Sequence, residues 1–439
     1  MKKLIIFILC FSYFANCDAE IQIYFTEPTC SDYPYNFEVQ SRSGGSINKT
    51  YGGFFCTQKD YPSGFDSLNS TVGVRIAAAL KNSQDNPIKT IEIADYIISD
   101  MSIANYICLQ FRASPFELSI YTQNTGDKPS GIGIRPPVLA ELSSCLKEHL
   151  HLTLIGCNVF TSKDCPRDKI NTMHLKLIKI ERRSGYAEEI ASSGNLGRGM
   201  YANLEDWLFF TNTQQRDIHK CLWVTLKKLS SVNKEIDKYN YSECKEKGTK
   251  QDSQLLVIPF DKEDYYSSFR NASSNANEIT IMSMDFKDKK LFNIISLSAK
   301  NGANIHFIAS SDWYYSYKLK KEIGTANLDD ISLALKIKEQ YPSRVTISFV
   351  ENNFYVGSVG NALHHKLALF RGSEDTVITG TTNMNGGAIN HNLDQVYIFH
   401  DKSIVDKYSS YIERIILRSI PFDKMPTTLP ELNISNTQR

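Results

Sequence analysis

The chain has 439 residues, 42% of them apolar, and a formal charge of +1. That is enough to bury two substantial cores, while the even charge gives no support to a broad basic surface of the kind nucleic acids select. Past the first residues no segment is long and apolar enough to cross a bilayer as a helix, and no basic amphipathic helix is present to dock on an anionic membrane.

The start is basic (Lys2, Lys3), and Leu4 to Phe14 is a run of eleven apolar or near-apolar residues. A spanning helix needs about 20, and the small residues at Ala15, Cys17 and Ala19 suit removal of residues 1–19 as a signal peptide. Of ten cysteines, eight then remain: Cys30, Cys56, Cys108, Cys145, Cys157, Cys165, Cys221 and Cys244. An even number behind a leader predicts disulfides. Zinc is the weaker reading, since no C-x-x-C and no suitably spaced His accompany them. Sequons at Asn48, Asn69, Asn240, Asn271 and Asn433 permit glycosylation without demanding it.

Residues 20–65, rich in Tyr, Gly and Ser, are expected to be loops pinned by Cys30 and Cys56. Periodicity then predicts a helix over Val72–Lys81, a strand over Ile88–Tyr96, a helix over Met101–Arg112 and a strand over Phe116–Tyr121. A helix over Val138–His149 and a strand over Leu152–Cys157 follow. The second half repeats the order. Its helices are expected near Tyr265–Ala272, Lys289–Lys300 and Leu328–Gln340, and its strands at Ile279–Met284, Asn304–Ala309 and Val345–Val350. This alternation predicts an α/β fold of two pseudo-two-fold-related lobes, each a mainly parallel mixed sheet flanked by helices. The lobes are placed at 20–226 and 253–426, with a solvated linker at 227–252 and a frayed tail at 427–439. The rings of Trp313-Tyr314-Tyr315 follow a strand end, where they could meet a ligand, although packing is the simpler reading.

Embedded in the repeat is a chemical pattern that occurs twice. His174-Leu175-Lys176 runs into an apolar strand, Leu177–Ile180, then reaches Ser193-Gly194-Asn195. His364-His365-Lys366 runs into Leu367–Phe370, then Gly380-Thr381-Thr382-Asn383. An acid follows each Asn: Glu205 ten positions after Asn195, Asp394 eleven after Asn383. The histidines stand 190 residues apart. A third H-x-K, His400-Asp401-Lys402, has no such sequel; its Asp401 reads as the N-terminal charge of a helix.

On a strand, i and i+2 share a face, so each His and Lys project together. That is a repulsive pair unless an anion lies between them. Two such sets facing each other suit a phosphate diester. Lys176, Lys366, Asn195 and Asn383 would hold non-bridging oxygens as charge builds. One imidazole would attack phosphorus while the other protonates the leaving oxygen. Glu205 and Asp394 would each accept from an imidazole N–H and fix its tautomer.

These paired motifs resemble those of the phospholipase D superfamily, H-x-K-x4-D followed by G-S-x-N. The resemblance spans both halves. It implies two-step catalysis through a phosphohistidine, with no metal or cofactor, His174 as nucleophile and His364 as acid and then base. The reverse assignment of the two histidines stays open. The sequence departs from the family at its Asp, which is Glu181 in the first motif and Arg371 in the second, and the Lys-to-Asn spacing is longer. The tyrosyl-DNA phosphodiesterase branch lacks that Asp too. His365 is a possible substitute for His364, disfavoured by the period-two spacing to Lys366. The expectation is a secreted phosphodiesterase acting on a phospholipid head group at a membrane surface, with no obligate protein partner. A secreted or lysosomal nuclease using the same residues is the alternative, and a silent binding module is a third reading.

Overall fold

The computed structural model describes residues 21–27, 31–40, 46–55, 68, 70–125, 133–156, 170–197, 200, 203–211, 216–231, 253–322, 331–350 and 363–425. The first half contains β1 (Ile21–Phe25), β2 (Ser31–Gln40), β3 (Ser46–Phe55), α1 (Thr71–Leu80), β4 (Ile88–Asp95), β5 (Ile97–Ile98), α2 (Met101–Ala113) and β6 (Glu117–Thr122). It continues with β7 (Gly133–Ile134), α3 (Pro136–Leu146), β8 (Leu150–Leu154), β9 (Thr172–Met173), β10 (Lys176–Arg182), β11 (Ala187–Ser192), β12 (Asp206–Thr211) and α4 (Arg216–Ser231).

The second half contains β13 (Ser253–Ile258), α5 (Lys262–Asn275), β14 (Ala276–Ser283), α6 (Lys289–Lys300), β15 (Asn304–Ser310), α7 (Ser311–Glu322) and α8 (Ser332–Gln340). After these come β16 (Val345–Val350), β17 (Lys366–Gly372), β18 (Thr376–Gly380), α9 (Gly386–His391), β19 (Asn392–Phe399), α10 (Lys402–Leu417) and β20 (Ser419–Pro421). Side-chain caps start several helices. Ser70 accepts from Gly73 N–H at α1, Asp100 from Ile103 N–H at α2, and Asp288 from Leu291 N–H at α6, which satisfies donors that the helix itself cannot.

Two sheets carry the fold, and they are built alike. The first runs β1-β12-β11-β10-β4-β6-β8 and the second β13-β19-β18-β17-β14-β15-β16-β20. Strand for strand, β10-β4-β6-β8 corresponds to β17-β14-β15-β16, so the predicted repeat and α/β class both hold. The pairing corrects one expectation: along the main path of each sheet only β4-β6-β8 and β14-β15-β16 pair parallel, while β1, β12, β11, β10 and β4 pair antiparallel, as do β13, β19, β18, β17 and β14. The sheets are mixed rather than mainly parallel, because each H-x-K strand turns straight into its neighbour as a hairpin instead of crossing over through a helix.

Three cores explain why the motif strands read as unbroken apolar runs. Ile178 and Ile180 pack with Ile91, Ile120 and the helices of the first half. Ala368 and Phe370 pack with Ile281, Phe269 and the helices of the second. Between them, Leu177 and Leu208 of the first half share a core with Leu367, Leu369, Tyr397 and Ile412 of the second. Strands buried on both faces lose the polar alternation of a half-exposed sheet. A shared core of this kind also makes the two halves one folding unit.

Several further expectations are settled. Residues 31–55 are not loops throughout: β2 and β3 pair antiparallel from Ser31↔Phe55 to Gln40↔Ser46, and β1 joins the first sheet along β12. Backbone pairing supplied what weak periodicity did not announce. Helix α4 runs to Ser231, so the segment from Lys227 to Ser231 is helical, and the rest of the expected linker lies outside the described residues, as do the leader and the tail. Cys108 and Cys145 form a disulfide that joins α2 to α3, and Cys221 is disulfide-bonded as well. Cys30, Cys56, Cys157, Cys165 and Cys244 lie outside the described residues. Trp313 and Tyr314 are buried in the second-half core, the packing outcome. Among the described residues no helix is long and apolar enough to cross a membrane.

Candidate active site

The ends of β9, β10, β12, β17 and β19 converge where the halves meet, and the pairing there is reciprocal. His174 N–H donates to Leu393 O at 2.9 Å, and His364 N–H donates to Leu204 O at 3.0 Å. Each histidine is thereby pinned to the residue just before the other half's acid. The side chains follow the backbone. His174 Nδ1 lies 2.7 Å from Asp394 Oδ1 in good hydrogen-bonding geometry, and His364 Nδ1 lies 3.1 Å from Glu205 Oε1. The second contact is off the hydrogen-bonding axis, so His364 Nδ1 is not engaged as firmly as its counterpart. The acids are exchanged between halves.

Both lysines lie at the same centre. Lys176 Nζ donates to His174 O at 2.8 Å, and Lys366 Nζ donates to His364 O at 2.6 Å. The Tyr96 ring stands edge-on to His174, 4.9 Å between centroids, and 5.6 Å from Lys176 Nζ. All eight predicted residues therefore fall in or beside one cluster. Asn195 follows Gly194, which presses against the Glu205 carboxyl so closely that any Cβ there would overlap it. Asn383 lies two residues past Thr381, whose hydroxyl donates to Asp394 Oδ1 at 2.6 Å. The repeat extends to the supporting loops: Ser193 N donates to Asp206 O and receives Asp206 N–H on its hydroxyl, and Thr381 does the same with Gln395.

The electrostatics favour an anionic ligand. Burial pushes His174 down to about 4, helped by Lys176 and opposed by Asp394. Burial, then Lys366 and Lys176, hold His364 well below the usual imidazole range. Burial draws Lys176 down to about 8 and Lys366 to about 7, the latter also repelled by Lys176. Burial pushes Glu205 up to about 7. Several polar atoms here are buried without a protein partner among the described residues: Asn195 Oδ1, Asn383 Oδ1, Glu205 Oε2 and Asp394 Oδ2. Buried polar groups are normally paired, so an unpaired set around two lysines marks a place for a polar ligand. Among the described residues no group of three or more His, Cys, Asp or Glu side chains is arranged to hold a metal ion.

The remaining sequence candidates separate cleanly. His365 is fully buried, with Nδ1 3.1 Å from Asp206 Oδ1 and Nε2 2.8 Å from Tyr411 Oη. Asp206 also accepts from Thr379 and Tyr408, so His365 fastens the halves together and does not replace His364. The carboxyl of Asp206 ends near 2, because the bonds from His365 and its other donors outweigh burial. Glu181 pairs with Lys89 and Arg371 stands near Asp375. Five residues along a strand is about 17 Å, so both departures lie away from the chemistry. Asp401 caps α10 by accepting from Ser403 and Ile404 N–H, as expected of the third H-x-K.

Two groups escaped the sequence reading. Asp95, at the end of β4, faces Lys176 across the β4–β10 register. Glu189, His219, Trp223 and Tyr397 form a buried chain, with His219 bonded to Glu189 and Tyr397. An acid closing an apolar strand was the available signal for the first. Nothing in the spacing announces the second.

Residues 268–416 match the model of the cardiolipin synthase, PLD-like domain, and these contain His364, Lys366, Asn383 and Asp394 together. The second half therefore carries a phospholipase D-like domain. Its fold is similar to that of phosphatidylserine synthase from Haemophilus influenzae, at 10% identity and a TM-score of 0.55, over 82% of this chain and 87% of that one. Polyphosphate kinase from Porphyromonas gingivalis aligns at 11% identity and 0.49, over 79% of this chain but 46% of its own length. The phospholipase D family member Nuc from Salmonella typhimurium aligns at 15% and 0.30, over 38% of this chain and 96% of that one. At 10% identity the likeness to the phosphatidylserine synthase is one of fold. No curated protein matches significantly in sequence. The same set of His, Lys, Asn and acid recurs in the half of this chain that the family model leaves unmatched, as His174, Lys176, Asn195 and Glu205.

Proposed function

We propose that the protein is a phospholipase D-type phosphodiesterase that hydrolyses the head-group diester of a phosphatidylcholine-like lipid through a phosphohistidine. The observation that carries this reading is the exchange of acids between halves: His174 with Asp394, His364 with Glu205. With Nδ1–H held by Asp394, the lone pair of His174 Nε2 is free to attack phosphorus as the P–O bond to the leaving alcohol breaks. His364 gives that oxygen a proton. In the second step His364 takes a proton from water, the water oxygen bonds to phosphorus, and the P–N bond breaks. The lysines and the two Asn amides hold the non-bridging oxygens. Burial and then the two lysines disfavour a charged His364; a bound diester anion offsets the lysine repulsion, so protonation of His364 accompanies binding.

A lipid substrate is supported by the names of the matching domain and of the phosphatidylserine synthase aligned over 82% of this chain, and by a net charge too small for a broad nucleic-acid surface. Export is part of the same proposal, supported by the basic and apolar start and by the disulfides, which persist in oxidising compartments. The test is a parallel assay in EDTA of phosphatidylcholine vesicles and single-stranded DNA, with His174→Ala as blank. Choline release lost in the variant supports the lipid reading. DNA cleavage without choline release transfers the same mechanism to a nuclease, and turnover of neither sinks the hydrolase assignment.

A further inference from the structure

One carboxyl of the site belongs to neither repeated motif. Asp95 is 1% exposed and stands opposite Lys176 in the β4–β10 register. Its Oδ1 accepts from Ile97 N–H at 2.9 Å and its Oδ2 from Leu196 N–H at 3.0 Å. Leu196 directly follows Asn195, so the carboxyl ties the Asn195 loop to the strand end beside Lys176. The second half lacks the device. Ser283 occupies the matching register position opposite Lys366, and its hydroxyl is engaged locally with Asp285 O at 2.7 Å and Asp285 N at 3.2 Å. Lys366 instead has Met284 Sδ at 3.9 Å.

We propose that Asp95 is a positioning residue that keeps Lys176 cationic and Asn195 seated, making the first half the fixed clamp for a phosphoryl oxygen. This rests on the phosphodiesterase reading of the site. The groups facing Lys176 are Asp95, Asp394 and Glu205, which favour its charge, and Lys366 and His174, which share the site with it. Burial raises Asp95 to about 7, while Lys176 lies near 8. Lys366 is drawn down by burial and by Lys176, against Glu205, Asp394 and Asp206, and has no carboxylate at the matching register position.

The experiment is an NMR titration of protein labelled at lysine Cε, with Lys176→Arg and Lys366→Arg assigning the two resonances. In Asp95→Asn the Lys176 midpoint should fall by about one pH unit or more, and Lys366 should move much less. Asp95→Ser, which installs the residue found in the second half, serves as the second variant and should give the same shift. Alongside, the alkaline limb of bis(p-nitrophenyl) phosphate turnover should move toward acid. An unmoved Lys176 midpoint, or equal movement of both lysines, overturns the role of Asp95. A shifted midpoint in a protein with no turnover keeps Asp95's role and overturns the hydrolase reading instead.

Discussion

Removing Asp394 in two different ways separates orientation from charge. Both of its hydrogen bonds, from His174 Nδ1 and Thr381 Oγ1, fall on one oxygen, Oδ1. In Asp394→Asn an amide oxygen placed there keeps both bonds and loses only the charge. A bond to a charged group is worth about 1–2 kcal/mol more than one to a neutral group, so kcat should fall roughly 5- to 30-fold. In Asp394→Ala the imidazole loses its tautomer restraint and Thr381 its acceptor. The loss should reach about 3–5 kcal/mol, or roughly 10²- to 10⁴-fold. The assay is kcat on a chromogenic diester, with melting temperature as the check on folding. Asp394→Ala within threefold of wild type would refute the orienting role. Equal losses in the two variants would assign the whole effect to charge.

Glu205 should give up stability for its place in the site. Its folded value of about 7 lies above its ordinary 4.5, so the folded state is favoured fully below pH 4.5 and loses that advantage as pH rises through 7. Glu205→Gln should therefore raise the melting temperature at pH 8, by up to about 3 kcal/mol of stability, leave it nearly unchanged at pH 4, and slow turnover; a lower melting temperature at pH 8 would contradict this. Gly194→Ala should cost at least tenfold in kcat, because its Cβ would overlap Glu205, whereas Gly185→Ala meets no atom within 4 Å and bears only a positive φ of 86°. The second change should cost about 1 kcal/mol and leave turnover intact. The Cys108–Cys145 bond closes a separation of 37 residues, which the chain-entropy account values at about 4 kcal/mol. Replacing both by Ser should lower the denaturation midpoint clearly, and an unchanged midpoint would deny the bond a structural role.

What could be read in the sequence was what chemistry ties to spacing. His174, Lys176, Asn195 and Glu205 recur as His364, Lys366, Asn383 and Asp394 because one site is built from two copies of one hairpin-and-acid unit. Which acid serves which histidine could not be read, because the exchange arises from the parallel pairings of β9 with β19 and of Leu204 with Leu363. Strand direction was misjudged for a related reason: alternating helices and strands signal crossovers, but β10–β11 and β17–β18 are joined without one. Asp95 is a lone acid on a strand, and only the register makes it Lys176's neighbour. His365 and His219 carry no spacing signal, since their partners Asp206, Tyr411, Glu189 and Tyr397 come from distant elements.

The most direct test of one site shared by two halves is to trap the intermediate. His364→Ala removes the group that activates water for the second step, so with an activated diester such as bis(p-nitrophenyl) phosphate it should accumulate a phosphoryl adduct. Quenched in alkali and mapped by mass spectrometry, that adduct should lie on His174 and be absent from His174→Ala. An adduct on His364 in the His174→Ala protein, or sustained turnover by either single variant, would contradict the account.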